Sequence, residues 1–278
     1  MPKGYSGGKG LDTTTASWRT ETIHAGSLEL ECLRRGSGPS LVVLHDLDYL
    51  NKPWPYLDRL AEDFSVVVPS HPGFGHSQRA ESVDCVDDLA YVYLDLLREL
   101  DPCVVLGCGF GGWIAAEVAV RCEHSLSRLA LVDALGIKVG GPTDRDIADV
   151  FLMDNESILE ATWHDQSRGR ETMTLPGPNV AEEDLVLLLR NRESAALYGW
   201  KPYMHNPKLL GRLKRIQKPT LVLWGAGDRI VSPDYGRAYA GAVPGARFAV
   251  IPQAGHYPYL EQPEAFLARL LPFLLENV

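Results

Sequence analysis

The chain has 278 residues, with 36 acidic and 27 basic side chains and a formal net charge of −9. Hydrophobic residues make up 45% of the sequence and charged residues 23%, which are the proportions of an ordinary globular protein. The negative charge argues against a general nucleic-acid binder, because binding to phosphates needs clustered Lys and Arg side chains.

Cysteine usage and the N-terminal stretch bear on where the protein resides. The five cysteines form no CxxC pair, and an odd number is not typical of a disulfide framework or a zinc site. This usage favours a reducing compartment. Residues 1–17 are polar and rich in glycine, which predicts a flexible arm and not a signal peptide. The most apolar stretch, 103–120, contains glycines and Glu117 and suits a membrane span poorly. We therefore expect a soluble, cytoplasmic protein.

The patterns along the chain alternate between strands and helices. Apolar alternation at 18–24 and 28–33, split by Ala25-Gly26-Ser27, predicts a β-hairpin. Continuous apolar runs, which are typical of buried parallel strands, follow at 41–46, 64–69, 103–107, 128–134, 221–225 and 247–252. Helical spacing of apolar residues occurs around 51–61 and at 84–100, 111–122, 233–242 and 263–275. The alternation predicts the α/β class, with a mostly parallel sheet and helices on both faces.

One stretch, 136–216, interrupts this alternation because it contains no strand-like run. Its helical patterns lie at 143–152, 156–164, 182–200 and 206–216. Helices inserted into an α/β domain predict a cap over the active edge of the sheet. The core is then expected to comprise residues 18–135 and 217–278.

The stretch VVLGCGFGGW, 104–113, runs from a predicted strand through small residues into a predicted helix. This is the setting of a nucleophile elbow, where the pattern G-x-S-x-G lifts a serine from a sharp turn. The pattern aligns with GCGFG, 107–111, so the nucleophile position is Gly109, which has no side chain. A frame centred on Cys108 would place large residues at positions that must be small. Cys108 is therefore expected to point beneath the turn.

Two further residues follow in the order acid, then base, that such a site requires. Asp228 lies just after a predicted strand, and His256 lies between the last strand and the last helix. A histidine transfers protons near neutral pH, and a neighbouring carboxylate holds its tautomer. Asp133 is an alternative acid position, for which Asp228 is the better match.

These motifs resemble those of the α/β-hydrolase superfamily, in the branch with a helical cap that includes esterases, carbon–carbon bond hydrolases and haloalkane dehalogenases. The resemblance covers about residues 18–278. It rests on LVVLHD (41–46), PSHPGFGHS (69–77), GCGFGGW (107–113), LWGAGDRIV (223–231) and AGHYPYLEQPEAF (254–266). It implies an α/β-hydrolase fold and a small-molecule substrate, with no cofactor, no metal, and neither a nucleic-acid nor a membrane partner. The oligomeric state is left open.

The sequence departs from the family pattern at two positions. Gly109 replaces the family's Ser, Asp or Cys nucleophile, and His45-Asp46 replaces the usual His-Gly after the first buried strand. The resemblance implies an oxyanion hole built from the backbone N–H groups of Leu47 and Phe110. A carboxylate at Asp46 would oppose a developing oxyanion, unless it points away and holds a loop. The sequence leaves both readings open.

Three explanations of Gly109 are open. The chain is a hydrolase inactivated by a serine-to-glycine change, including one engineered to capture substrate, or a natural enzyme that uses the Asp228–His256 dyad alone. The third is a binding protein or receptor that keeps a hydrolase pocket. The parent activity expected is hydrolysis of an ester, amide or carbon–carbon bond in a small apolar or aromatic molecule.

The predicted cap contributes two more sets of candidates. Its large side chains suggest an apolar or aromatic substrate, or else form the cap's own core; they are Met153, Trp163, Tyr198, Trp200 and Tyr203. Arg190 or Arg192 could reach the pocket and bind a carboxylate, with a surface position as the alternative.

Overall fold

The computed structural model describes residues 17–47, 52–100, 102–122 and 124–276, so nearly all of the arm predicted at 1–17 lies outside the described residues. The strands form one eight-stranded sheet in the order β1-β2-β4-β3-β5-β6-β7-β8. They are β1 (Arg19–Ala25), β2 (Leu28–Arg35), β3 (Ser40–Leu44), β4 (Ser65–Pro69), β5 (Cys103–Cys108), β6 (Leu126–Val132), β7 (Thr220–Gly225) and β8 (Arg247–Ile251). The two pairings of β2 are antiparallel and the other pairings within the sheet are parallel.

The helices of the described residues are α1 (Pro55–Leu60), α2 (Val86–Arg98), α3 (Gly109–Ala119), α4 (Asn155–Thr162), α5 (Gln166–Thr172), α6 (Glu182–Gly199), α7 (Leu209–Arg212), α8 (Pro233–Ala242), α9 (Pro258–Glu261) and α10 (Pro263–Leu275). A 3₁₀ turn at 213–215 follows α7. The bounds of α8 and α10 agree with those expected from the sequence. Both helices begin at a proline, which fits there because the first N–H groups of a helix have no partner within it.

The sheet is covered on both faces, which confirms the predicted class. In β3, Val42 and Leu44 pack with α2, α3 and α8 in one core, while Leu41 and Val43 pack with α1 and α10 in the other. Successive side chains of a strand point to opposite faces, so a strand buried on both sides must be apolar throughout. Each buried Val or Leu side chain contributes about 1.5–3 kcal/mol. The continuous apolar runs therefore place the strands in the middle layer.

The chain between β6 and β7 contains α4 to α7. We call residues 136–216 the cap segment, and its separation from the core stays a prediction. The helix predicted at 143–152 was wrong, because these residues form turns. The Asp146 carboxylate accepts hydrogen bonds from the backbone N–H groups of Val139 (2.9 Å) and Gly140 (3.0 Å). Such side-chain bonds compete with the helical pattern of backbone bonds.

The carboxyl ends of the parallel strands meet at one edge of the sheet, where α/β proteins bind their ligands. In β3 and β5, Leu44 pairs with Gly107, so the turns after these two strands emerge side by side. The turns after β7 and β8 emerge at the same edge. No helix in the described ranges combines the length and the apolar character that a membrane crossing requires.

Candidate active site

The turn after β7 and the turn after β8 bring Asp228 and His256 into contact. The Nδ1 atom of His256 lies 2.7 Å from Oδ2 of Asp228. The other oxygen of Asp228 accepts hydrogen bonds from the backbone N–H groups of Ile230 (2.8 Å) and Val231 (3.2 Å). The backbone N–H of His256 donates to the carbonyl of Thr162 in α4 at 2.6 Å. Asp228 is thereby held by the backbone in the position that orients the imidazole.

Asp133, the alternative acid, lies behind Asp228 and does not bond to the imidazole. Its Oδ1 accepts a hydrogen bond of 2.8 Å from the backbone N–H of Gly225. Burial, followed by the nearby Asp228 carboxylate, raises the pKa of Asp133 well above its usual value, which favours its neutral form. Asp133, Asp228 and His256 bring potential metal ligands within 4.8 Å of one another. Within this cluster, Nδ1 of His256 is already bonded to Oδ2 of Asp228.

The turn between β5 and α3 has the expected elbow geometry. Gly109 has a φ of +51°, in the left-handed region that favours glycine. The strand and the helix approach closely, because a Cβ built on Gly107 would lie 2.6 Å from the carbonyl oxygen of Gly111. The small residues of the motif are therefore required by packing, as the pattern indicates.

The space beside Gly109 is filled by the carboxylate of Asp46. A Cβ built on Gly109 would overlap Cγ and Oδ1 of Asp46 and would lie 2.5 Å from Oδ2. The Oδ2 atom lies 3.2 Å from Nε2 of His256. Asp46 does not point away from the site. It presents an oxygen to the imidazole from the place that the side chain of residue 109 would otherwise occupy.

The two backbone groups predicted as oxyanion donors both face Asp46. The N–H of Phe110 donates to Oδ1 of Asp46 at 2.7 Å, and the N–H of Leu47 also stabilises the charged carboxylate. Hydrogen bonds between backbone N–H groups and a carboxylate are stronger than those between neutral groups. The anion in this hole is therefore the protein's own carboxylate.

A buried histidine pair fixes the loop that carries Asp46. The ring of His45 stacks on that of His71, with the centroids 3.9 Å apart. Burial lowers the pKa of His45 to about 4, so its ring is neutral. Its Nε2 accepts a hydrogen bond from the backbone N–H of His71 (3.2 Å), so its Nδ1 carries the proton and donates to the carbonyl of Asp46 (2.7 Å). Tyr93 lies 2.5 Å from Nδ1 of His71 and extends this network.

The imidazole of His256 lies between two carboxylates, those of Asp228 and Asp46. Burial alone would lower the pKa of His256, but Asp228 and Asp46 outweigh it and raise that pKa well above 6.5. Burial alone would raise the pKa of Asp46, but His256 and the N–H groups of Phe110 and Leu47 hold it below its usual value. The surroundings therefore favour the protonated form of His256 and the ionised form of Asp46.

Cys108 lies beneath the turn, as expected. Burial raises the pKa of its thiol well above the usual value, and the nearby Asp46 and Asp133 add to this effect. A thiol without thiolate character is a weak nucleophile. Cys108 is therefore a packing residue in the resting site.

A cavity of about 40 Å³ lies between the sheet edge and the cap segment, and we call it the cap cavity. Asp46 and His256 line it from the sheet side. The remaining lining is mostly apolar: Leu47, Leu135, Ile147, Ala148, Val150, Phe151, Ile158, Thr162, Arg192, Ala195, Tyr203, Met204, Ile230 and Tyr257. Its mostly apolar lining suits an apolar group of a ligand.

The two candidate arginines have different positions. Arg190 donates hydrogen bonds to the backbone carbonyls of Gly73 (3.0 Å) and Ser77 (2.6 Å), so it holds a loop. Arg192 lines the cap cavity, and no carboxylate in the described ranges forms an ion pair with it. A guanidinium at an apolar cavity favours a ligand that carries a negative charge.

The five large side chains of the cap segment also differ in position. Tyr203 lines the cap cavity, and its hydroxyl accepts from the N–H of Val150 and donates to the carbonyl of Ala148. Trp163 and Tyr198 are buried, Met153 is packed against the core, and Trp200 is about half exposed. Packing within the protein therefore accounts for most of these residues.

The sequence did not indicate a second cavity, of about 200 Å³, on another side of Asp46. Asp46 and Tyr257 line both cavities, and aromatic residues line much of the second: Trp54, Tyr56, Tyr257 and Tyr259. The motif around His256 contains two of these tyrosines, but its apolar character alone did not indicate a cavity.

Known proteins resemble this chain over most of its length. A sequence model of the Alpha/beta hydrolase family matches residues 41–269. The chain is 28% identical over 271 residues to the polyketide synthase ThaQ of Burkholderia thailandensis, a match that covers 91% of this chain and 12% of ThaQ. It is 27% identical over 267 residues to the pimeloyl-[acyl-carrier protein] methyl ester esterase of Nitrosospira multiformis, which covers 89% of this chain and 98% of the esterase. Its fold is similar to that of a bacterial membrane phospholipase A, with a TM-score of 0.77, 22% identity and coverage of 94% and 87% of the two chains.

Proposed function

The chain belongs to the alpha/beta hydrolase family, and on this premise we propose that it hydrolyses a small apolar molecule that carries a negative charge. His256 transfers the proton, Asp228 orients it, and Arg192 binds the charged end of the substrate. The observation that carries the proposal is the buried imidazole of His256, held between Asp228 and Asp46 at the wall of the cap cavity.

An ester is the bond that a relative's name supports, because the Nitrosospira relative is a methyl ester esterase. The amide and carbon–carbon alternatives stay predictions. The match covers only 12% of ThaQ, so we do not assign the overall activity of the synthase to this chain.

Of the three explanations of Gly109, we propose the natural enzyme that works without a side chain at this position. The Asp46 carboxylate fills the space that a serine would need, and it is held there by Phe110 and His256. This supports a site built around glycine, and it speaks against a site that has simply lost a serine.

A panel of monomethyl esters of C4–C8 dicarboxylic acids, with the uncharged dimethyl esters as matched substrates, tests this function. We expect turnover of the monoesters, and a loss of at least about 1,000-fold in kcat in His256→Ala. Arg192→Gln should raise KM about 10-fold for the monoesters alone, which corresponds to about 1.4 kcal/mol.

Lys208→Gln, an exposed substitution in the cap segment, is the control and should leave both constants unchanged. Turnover that survives in His256→Ala would exclude the proposed role of His256. Tight binding of the monoesters without any turnover would instead support the binding-protein explanation.

A further inference from the structure

We propose that Asp46 is the covalent nucleophile of this site and that it attacks a saturated carbon of the substrate. The proposal rests on the proposed function for the role of His256 and for the cap cavity, and it adds the reacting residue and the class of carbon attacked. The reactive side chain then lies on the turn after β3, and not on the turn after β5 where the motif predicts it.

The position of Asp46 meets the requirements of a nucleophile. Its Oδ2 lies 3.2 Å from Nε2 of His256, and its carboxylate lines the cap cavity. The carboxylate fills the space beside Gly109, where the elbow would present a nucleophilic side chain. It is also ionised, because His256 and two backbone N–H groups stabilise the anion. A carboxylate acts as a nucleophile when it is held within reach of a carbon and beside a proton-transferring group.

The predicted oxyanion donors are already occupied by Asp46. This indicates which kind of substrate carbon is attacked. Attack on a carbonyl would create an oxyanion on the substrate, which needs free N–H donors. The N–H of Phe110 already donates to Asp46, and the backbone of Leu47 also lowers the pKa of that carboxylate. Attack on a saturated carbon places no oxyanion there, because the charge develops on the leaving group.

The same donors fit the second step. Once Asp46 is an ester, water attacks its Cγ and the negative charge develops on Oδ1. That oxygen is 2.7 Å from the N–H of Phe110 in the resting structure. The hole therefore stabilises the transition state for hydrolysis of the enzyme's own ester.

The two steps balance in atoms and charge. In the first, Oδ2 of Asp46 forms a bond to the saturated carbon while the bond from that carbon to the leaving group breaks. The leaving group departs as an anion with the electron pair. Once Asp46 is an ester, His256 has lost one of its two negative partners, and it releases the Nε2 proton to solvent. In the second, water gives a proton to the neutral His256 and its oxygen bonds to Cγ. The Cγ–Oδ2 bond breaks, the alcohol leaves with a proton from His256, and ionisation of the carboxyl group restores the imidazolium.

The probe 6-bromohexanoate tests the proposal, because it joins a saturated carbon with a leaving group to a carboxylate that Arg192 can bind. In His256→Gln, where water activation is lost, we expect one equivalent of the hexanoate ester on the peptide that contains Asp46, measured by mass spectrometry. In the wild-type protein in H₂¹⁸O, with enzyme in excess, the first turnover should place ¹⁸O in Asp46 and none in 6-hydroxyhexanoate.

Asp46→Asn should lower turnover at least about 1,000-fold. Asp234→Asn, whose side chain is almost fully exposed, is the matched control and should leave turnover unchanged. Adducts confined to cysteine, absence of both adduct and turnover, or ¹⁸O found in the product alone at the first turnover would each overturn the nucleophilic role of Asp46.

The failure of this proposal is distinguishable from that of the proposed function. Ester turnover that depends on His256 but places ¹⁸O in the released acid would keep the function and overturn attack on a saturated carbon. An ester on Asp46 in the wild-type protein without any release of product would keep the nucleophile and overturn the hydrolase.

Discussion

The turns after β3 and β5 leave neighbouring strands, yet they supply different parts of the site. The turn after β5 keeps the backbone of an elbow, with φ of +51° at Gly109 and a directed N–H at Phe110, but has no reactive side chain. The turn after β3 supplies a carboxylate at the same place, through Asp46. The difference shows that two neighbouring turns share one space beside His256, with the backbone coming from one turn and the side-chain oxygen from the other.

The largest loss of stability is expected when a side chain is added at the turn after β5. Gly109→Ser should lower the free energy of unfolding by about 3 kcal/mol, because the new Cβ overlaps Asp46 and a serine at positive φ is strained. Adding Asp46→Gly removes the overlap, so the double variant should be more stable than the sum of the single effects by about 2 kcal/mol. Urea denaturation of the four proteins gives these values.

Gly211→Ser is the control, since a Cβ built there meets no atom within 4 Å. Its unfolding midpoint should stay close to that of the wild-type protein. Independent, additive effects of Gly109→Ser and Asp46→Gly would show that the two turns do not share one space.

The ion pair between the two turns should make stability depend on pH. The pKa of His256 is raised in the folded state, so its contribution is complete below the unfolded value of about 6.5 and is lost as pH rises through the folded value. The pKa of Asp46 is lowered, so its contribution is complete above the unfolded value of about 3.9 and is lost as pH falls through the folded value. The stability difference between wild type and Asp46→Asn should therefore be largest between about pH 4 and 6.5.

Urea denaturation at several pH values measures this difference. His76→Gln, a change at an exposed histidine, should leave the profile unchanged. A stability difference for Asp46→Asn that stays constant across the whole pH range would contradict the ionised Asp46–His256 pair.

The smallest effect on stability is expected at the turn after β6, which contains Asp133. Burial favours the neutral form of Asp133 and its Oδ1 accepts from Gly225, so Asp133→Asn should change the free energy of unfolding by less than about 0.5 kcal/mol. Asp133→Ala leaves that N–H without an acceptor and should cost about 1–3 kcal/mol. Equal losses in the two variants would show that the charge of Asp133 matters after all.

Much of the fold could be predicted because its signals are local. Buried strands appear as apolar runs, and the prolines at the starts of α8 and α10 mark helix ends. The error at 143–152 has a physical cause, since Asp146 binds backbone groups outside any helix. Short helices such as α5 have too few residues to produce a periodic pattern.

The residues of the candidate site could be chosen from the sequence, but the directions of their side chains could not. Motif order indicates that Asp228 and His256 lie at neighbouring strand ends, where the structure places them 2.7 Å apart. The direction of the Asp46 side chain depends on the stacked pair of His45 and His71, which are far apart in the sequence. One signal was available: a side chain is missing at Gly109 and an extra one is present at Asp46, on strands that pair directly.

The overlap between residue 109 and Asp46 also constrains how this sequence can diverge. A serine at position 109 would overlap the carboxylate unless Asp46 also changes. Loss of Asp46 alone would leave the N–H of Phe110 without its acceptor and the site without the proposed nucleophile. The two positions are therefore coupled physically, since a side chain at residue 109 and the carboxylate of Asp46 need the same space.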